Sequence, residues 1–265
     1  MAVMAMLRQD GREIYYELHG EGAPLLLIPG LGSDVLSWGG LVTPLAQSYR
    51  LILLDNRGAG RTRGPGPLTI PAMASEALAL LEHLGHPKVH VLGHSMGGLV
   101  ALALASLAPA RLDRLILAGS FAALQPRNLQ LFRGMATALE QGADRADWYQ
   151  ELFAWIFSEG FLGSAQAVRA ASRLAADYPL APTPAEFRSQ VEALASWDAS
   201  DSLSTVTHPT LVLAAQDDRL VLPHEGQALA AALPRGTCQE LPQAAHAMHL
   251  EQPAAFLAAV RAFLA

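Results

Sequence analysis

Three distant side chains carry the reactive chemistry of this sequence: a serine, an aspartate and a histidine, in that order. Ser95 sits in Gly93-His94-Ser95-Met96-Gly97, a G-x-S-x-G pattern. Lys88-Val89-His90-Val91-Leu92 before it reads as a buried strand, and Gly98 to Ala105 after it as a buried helix. A serine on a sharp strand-to-helix turn holds its hydroxyl clear of both elements, and the flanking glycines are needed because a Cβ there would strike the neighbouring backbone. A serine hydroxyl is a poor nucleophile until a histidine takes its proton, and the histidine needs a carboxylate to fix its tautomer. Gln216-Asp217-Asp218-Arg219 follows the strand-like run Thr210 to Ala215 and supplies the carboxylate. Asp218 is favoured, with Asp217 as the turn or capping residue. Gln243-Ala244-Ala245-His246 supplies the histidine from a tight loop; His249 is the alternative three residues on. The side chain of His94 is expected to turn away from the serine's proton.

Acyl transfer also creates an oxyanion, which needs fixed N–H donors. The Met96 amide opens the helix after Ser95 and is one candidate. The Leu31 amide, in Pro29-Gly30-Leu31-Gly32-Ser33-Asp34, is the other. The same loop imitates a dinucleotide fingerprint, with Asp55 downstream as the acidic partner. The slot of the third glycine holds Val35, which argues against nicotinamide or flavin binding. The sequence contains no Gly-Lys-Ser/Thr phosphate loop, HExxH or CxxC, so no cofactor and no metal is expected.

These residues must be positioned by an alternating architecture. Strand-like runs at Ile14–His19, Leu25–Ile28, Leu51–Asp55, Val89–Leu92, Leu112–Ala118, Pro209–Ala215 and Thr237–Leu241 are separated by helical patterns. Thr69 reads as a helix N-cap with Pro71 in the first turn, and the helix stops at Gly85. Such alternation predicts an α/β fold with a mostly parallel sheet and helices on both faces. The rhythm breaks between residues 121 and 207, which contain no strand and four helical stretches. We read 1–120 and 208–265 as one α/β core and 121–207 as an inserted helical cap. Trp148, Phe153, Trp155 and Phe157 crowd the cap and are the candidate substrate-binding residues, although helical spacing buries such side chains in a cap's own core. Arg61 and Arg63 are placed near the expected mouth.

The 265 residues carry a formal net charge of −6, and hydrophobic residues make up 51%. Lys88 is the only lysine and the arginines are scattered, so no basic stripe suggests a nucleic-acid partner. The apolar stretch from Val89 to Ala110 is interrupted by His94, Ser95, Gly97 and Gly98 and reads as core, not a membrane span. The N-terminus lacks the basic start and long apolar run of a signal peptide. With a single cysteine, Cys238, the chain fits a reducing compartment, and the expectation is cytoplasmic.

Together, Gly30-Leu31-Gly32, Asp55-Asn56-Arg57-Gly58-Ala59-Gly60, the Ser95 turn, the Asp218 loop and His246 followed by Glu251-x-Pro253 resemble an α/β-hydrolase. Within that superfamily the chain is similar to 3-oxoadipate enol-lactonases, aminoacrylate hydrolases and cofactor-free haloperoxidase-like esterases. The resemblance implies an eight-stranded, mostly parallel sheet with an antiparallel second strand and a helical cap over the site. It departs where many relatives have His-Gly and this chain has Pro29-Gly30, and where they have a glycine and it has Ala215. The expected activity is cleavage of a small, largely apolar carboxylic ester or lactone through an acyl-serine. C–C bond or amide hydrolysis, or a perhydrolase reaction on the same triad, is the alternative; a ligand-binding relative without turnover is the non-enzymatic one.

Overall fold

The computed structural model describes residues 2–265. Eight strands form one sheet: β1 (Val3–Gln9), β2 (Arg12–His19), β3 (Ala23–Ile28), β4 (Tyr49–Leu54), β5 (Val89–His94), β6 (Leu112–Ala118), β7 (Thr210–Ala215) and β8 (Gly236–Leu241). Their order is β1-β2-β4-β3-β5-β6-β7-β8. β2 runs antiparallel to both β1 and β4, and every other pairing is parallel. β1 had no counterpart in the sequence reading. It is an edge strand with Val3 and Met4 exposed, so it shows no clean apolar alternation.

The central strands are apolar on both faces because both faces are covered. Leu26, Ile28, Val91 and Leu117 join one buried cluster, while Leu25, Leu27, Leu92 and Ile116 join the other. The helices between strands are α1 (Gly39–Leu45), α2 (Ile70–His83) and α3 (Met96–Leu107). Thr69 Oγ1 accepts from Ala72 N at 3.2 Å to cap α2. Five helices then separate β6 from β7: α4 (Pro126–Glu140), α5 (Arg145–Ile156), α6 (Glu159–Leu162), α7 (Ala165–Ala176) and α8 (Pro184–Ala195). The stretch that contains them leaves and rejoins the sheet at one neck, where Ala123 and Asp198 form an isolated antiparallel bridge. After β7 come α9 (Pro223–Ala232), α10 (Met248–Glu251) and α11 (Pro253–Leu264). The first of the two clusters continues without a break from α2 and α3 into Phe132, Trp148, Phe187 and Val191. Among the described residues no helix is long and apolar enough to cross a membrane.

Candidate active site

Ser95 occupies the turn between β5 and α3 with φ 53° and ψ −120°. This left-handed conformation is unusual for a residue with a Cβ and is a strain held by the surrounding packing. A Cβ on Gly97 would overlap the carbonyl oxygen of Ile28, and one on Gly93 would overlap that of Gly97. Glycine at both positions is what lets the turn lie against β3. The turn is further pinned by Ser120, whose hydroxyl donates to the Ser95 carbonyl at 2.9 Å, and by the Ser95 amide donating to Ala118 O at 2.9 Å.

Asp218 leaves the end of β7 and is buried. Its Oδ2 accepts from His246 Nδ1 at 2.9 Å. Its Oδ1 accepts from Leu220 N at 2.8 Å and Val221 N at 2.9 Å. These bonds fix the carboxylate and orient the imidazole, so that in the neutral ring Nδ1 carries the proton and Nε2 is the acceptor. Asp217 is exposed and lines a surface depression with Phe157 and Gln243 instead. His249 is also buried away from Asp218, packed on Trp38 at 5.4 Å and on His94 at 4.6 Å between ring centroids. Burial, and next the charge of His246, push His249 down to about 4. His94 is likewise held well below the ordinary histidine range, mainly by burial. Its Nε2 donates to the His246 carbonyl at 2.9 Å, since a carbonyl oxygen can only accept.

Ser95 and His246 line a common narrow cavity of about 90 Å³. Leu31 and Gly30 contribute its floor, and Phe132, Leu152, Ile156, Phe187 and Leu220 its apolar walls. The structure thus brings Ser95, His246 and Leu31 to one cavity, with Met96 directly after Ser95 at the helix start. The four crowded aromatics lie elsewhere. Trp148 donates its indole N–H to Met135 O at 2.9 Å and stands edge-on behind Phe187 at 5.1 Å. Phe153 and Phe157 pack on each other at 5.2 Å at the C-terminal end of α5, and neither lines the cavity. Trp155 is half-buried against the interior cluster. The cavity-facing residues of α5 are Leu152 and Ile156, whose four-residue spacing was the available signal. Arg61 does not line the cavity: it lies over the Tyr15 ring at 4.1 Å and beside Asp55. Asp55 turns into the protein. It is fully buried and accepts from Val35 N at 3.0 Å and Arg61 N at 2.7 Å, and burial raises its pKa.

Three side chains without an assigned role in the sequence tie the site together. Gln190 on α8 accepts from Gly32 N at 2.8 Å and donates to Arg57 O at 2.9 Å. Asn56 donates to Pro29 O at 2.8 Å, supporting the same loop from below. Glu251 accepts from Ala245 N at 2.8 Å with one oxygen, and from Ser158 N at 2.9 Å and Ser158 Oγ at 2.6 Å with the other. Ala247 N adds a bond to Ile156 O at 2.8 Å. The His246 loop is thus fastened to the end of α5. Only the pattern Glu251-x-Pro253 hinted at this in the sequence. Among the described residues no group of histidine, cysteine and acidic side chains is arranged to hold a metal ion.

A strand-turn-helix serine beside a carboxylate-bound histidine, on a sheet with this strand order, defines an α/β-hydrolase. The family model for the alpha/beta hydrolase fold matches residues 23–253, and the chain belongs to that family. Its relatives include a Pseudomonas syringae protein named "Putative carbamate hydrolase RutD", 33% identical over 93% of this chain and 95% of its own length. Among solved structures, a thermophilic esterase from Thermogutta terrifontis matches with a TM-score of 0.85 at 29% identity, covering 100% of this chain and 98% of its own. An enol-lactonase from Burkholderia xenovorans matches with a TM-score of 0.87 at 26% identity, covering 98% and 99%. The chain is a hydrolase of this fold.

Proposed function

We propose that the protein cleaves a carboxylic ester or lactone of a small, largely apolar substrate through an acyl-serine. The observation that carries this reading is the 2.9 Å bond from His246 Nδ1 to Asp218, made at the wall of the cavity that also holds Ser95. His246 Nε2 takes the Ser95 proton as Oγ bonds to the carbonyl carbon. The C–O bond to the alcohol then breaks, and the proton passes to the departing oxygen. Water, deprotonated by His246, releases the acid and restores Ser95. The oxyanion is assigned to the Met96 and Leu31 amides; the Gly32 amide is committed to Gln190. The α4–α8 segment acts as a cap that excludes water from the acyl-enzyme. With one cysteine in the chain, we assign the protein to the cytoplasm.

Labelling with a fluorophosphonate and a panel of simple esters and lactones tests the proposal. Ser95→Ala is expected to remove labelling and to lower turnover by about 10⁶, with an unchanged circular dichroism spectrum. Unchanged ester turnover in that variant would refute the assignment. The relatives' name favours a second reading, carbamate cleavage. The cavity wall offers no lysine or arginine to neutralise a carbamate anion, and an unpaired buried charge is costly. Faster release of ammonia from carbamate than of alcohol from esters would favour that reading.

A further inference from the structure

The catalytic cavity is small, yet an apolar groove of about 590 Å³ begins at its edge. Ser33 lines both. The walls are also continuous. On one side, Leu31 faces the cavity and Gly32 the groove; on the other, α5 presents Leu152 and Ile156 to the cavity and Tyr149 to the groove. Residues 149, 152 and 156 form one stripe at helical spacing, so a single face of α5 runs from the open groove to Ser95. Leu36, Leu174 and Leu250 line the groove at 58%, 77% and 49% exposure. Among the described residues Leu174 is the most exposed large apolar side chain. A water-facing apolar patch continuous with a reactive cavity marks a binding surface.

We infer that the cavity takes the acyl part of the substrate and the groove takes an extended, uncharged apolar alcohol part. This rests on the acyl-serine reading above. The alcohol leaves first, while the acyl group is still bonded to Ser95, so the alcohol needs the side with a free exit. The groove is that open side. At about 90 Å³ the catalytic cavity is smaller than the apolar cavity of about 150 Å³ that holds one benzene ring, and it suits a short aliphatic acyl chain. Among the described residues the charged groups that line the groove are Asp34 and Asp177, with Arg61 and Arg145 beside its tyrosines, so the walls offer no excess of positive charge to an anionic alcohol.

The test crosses two ester series, lengthening the alcohol (ethyl, hexyl and decyl acetate) and the acid (ethyl butyrate, hexanoate and decanoate). Full burial of the four added methylenes would raise kcat/KM about 200-fold from ethyl to hexyl acetate, and in this open groove a rise of at least about tenfold is expected, mostly through KM. Lengthening the acid beyond butyrate is expected to lower it. The double variant Leu36→Ser with Leu174→Ser should collapse the hexyl preference, and Leu107→Ser, an exposed leucine outside the groove, should keep it. Ester cleavage by a labelled Ser95 with the preference on the acid side, or untouched in the double variant, overturns the groove assignment alone. Absence of both labelling and ester cleavage overturns the acyl-serine reading and the groove assignment with it.

Discussion

Asp217 and Asp218 share a turn but not an environment. Asp218 is buried and gives its two oxygens to three donors, whereas Asp217 faces solvent. Asp218→Asn is therefore expected to lower kcat by about 10⁴, because an amide no longer holds the imidazole in the useful tautomer. Asp217→Asn should stay within a few-fold, and steady-state kinetics on one ester compares the two. His249 carries a prediction of a different kind. Burial holds its folded-state pKa at about 4, below the ordinary 6.5. Between those values the unfolded chain binds the proton that the folded chain refuses, so stability falls as pH drops through this window. The unfolding equilibrium should shift by up to about tenfold per pH unit for this one group. His249→Phe removes that contribution, and urea midpoints at pH 7 and pH 5 should lie closer together in the variant.

At the scale of elements, the histidine loop is held by its neighbours. Glu251 accepts one backbone N–H from the loop and two donors from Ser158. Glutamine can accept at only one end, and its amide would then point N–H at N–H at the other. Glu251→Gln is expected to cost about 2 kcal/mol, the range of a charge-assisted hydrogen bond. It should also lower kcat more than it raises KM, since the disturbed group is the proposed base. Denaturant titration and initial rates report the two effects separately. The serine turn is more stringent. Gly97→Ala forces a methyl group into the Ile28 carbonyl, and the variant is expected to lose either the turn or the fold, read by absent labelling and a lowered melting temperature.

For the whole molecule, α4, α5 and α8 share one apolar cluster with α2 and α3. Gln190 and Asn128, both buried, reach from those helices to the Gly32 loop and to the Leu220 carbonyl at 2.7 Å. A segment bound this way has no separate core to fold around. Urea unfolding is expected to be one transition, with tryptophan fluorescence and far-ultraviolet circular dichroism coincident. Trp148, Trp155 and Trp197 report on the α4–α8 region and Trp38 on the sheet. Two separated transitions would show the segment to be an independent unit.

The sequence by itself determined the sheet strands from β2 to β8, the helices that alternate with them, and the residues able to form a nucleophile, an acid-base pair and an oxyanion site. These are local properties: apolar period, glycine and proline punctuation, and side-chain chemistry, each read over a few residues. Neither β1 nor the short α6 and α10 were legible, the first because an edge strand needs no alternating pattern, the other two because a single turn has no period. Although the sequence favoured Asp218 over Asp217, only the tertiary structure shows which of the two meets His246, across a chain separation of 28 residues. It also decided the cavity wall. Aromatic bulk pointed to Trp148 and Phe153, but the direction in which α5 faces is set by the cluster beneath it, and that direction presents Leu152 and Ile156. The reach of Gln190 and Glu251 belongs to the same class, because a hydrogen bond between distant loops leaves no trace in the spacing of either one.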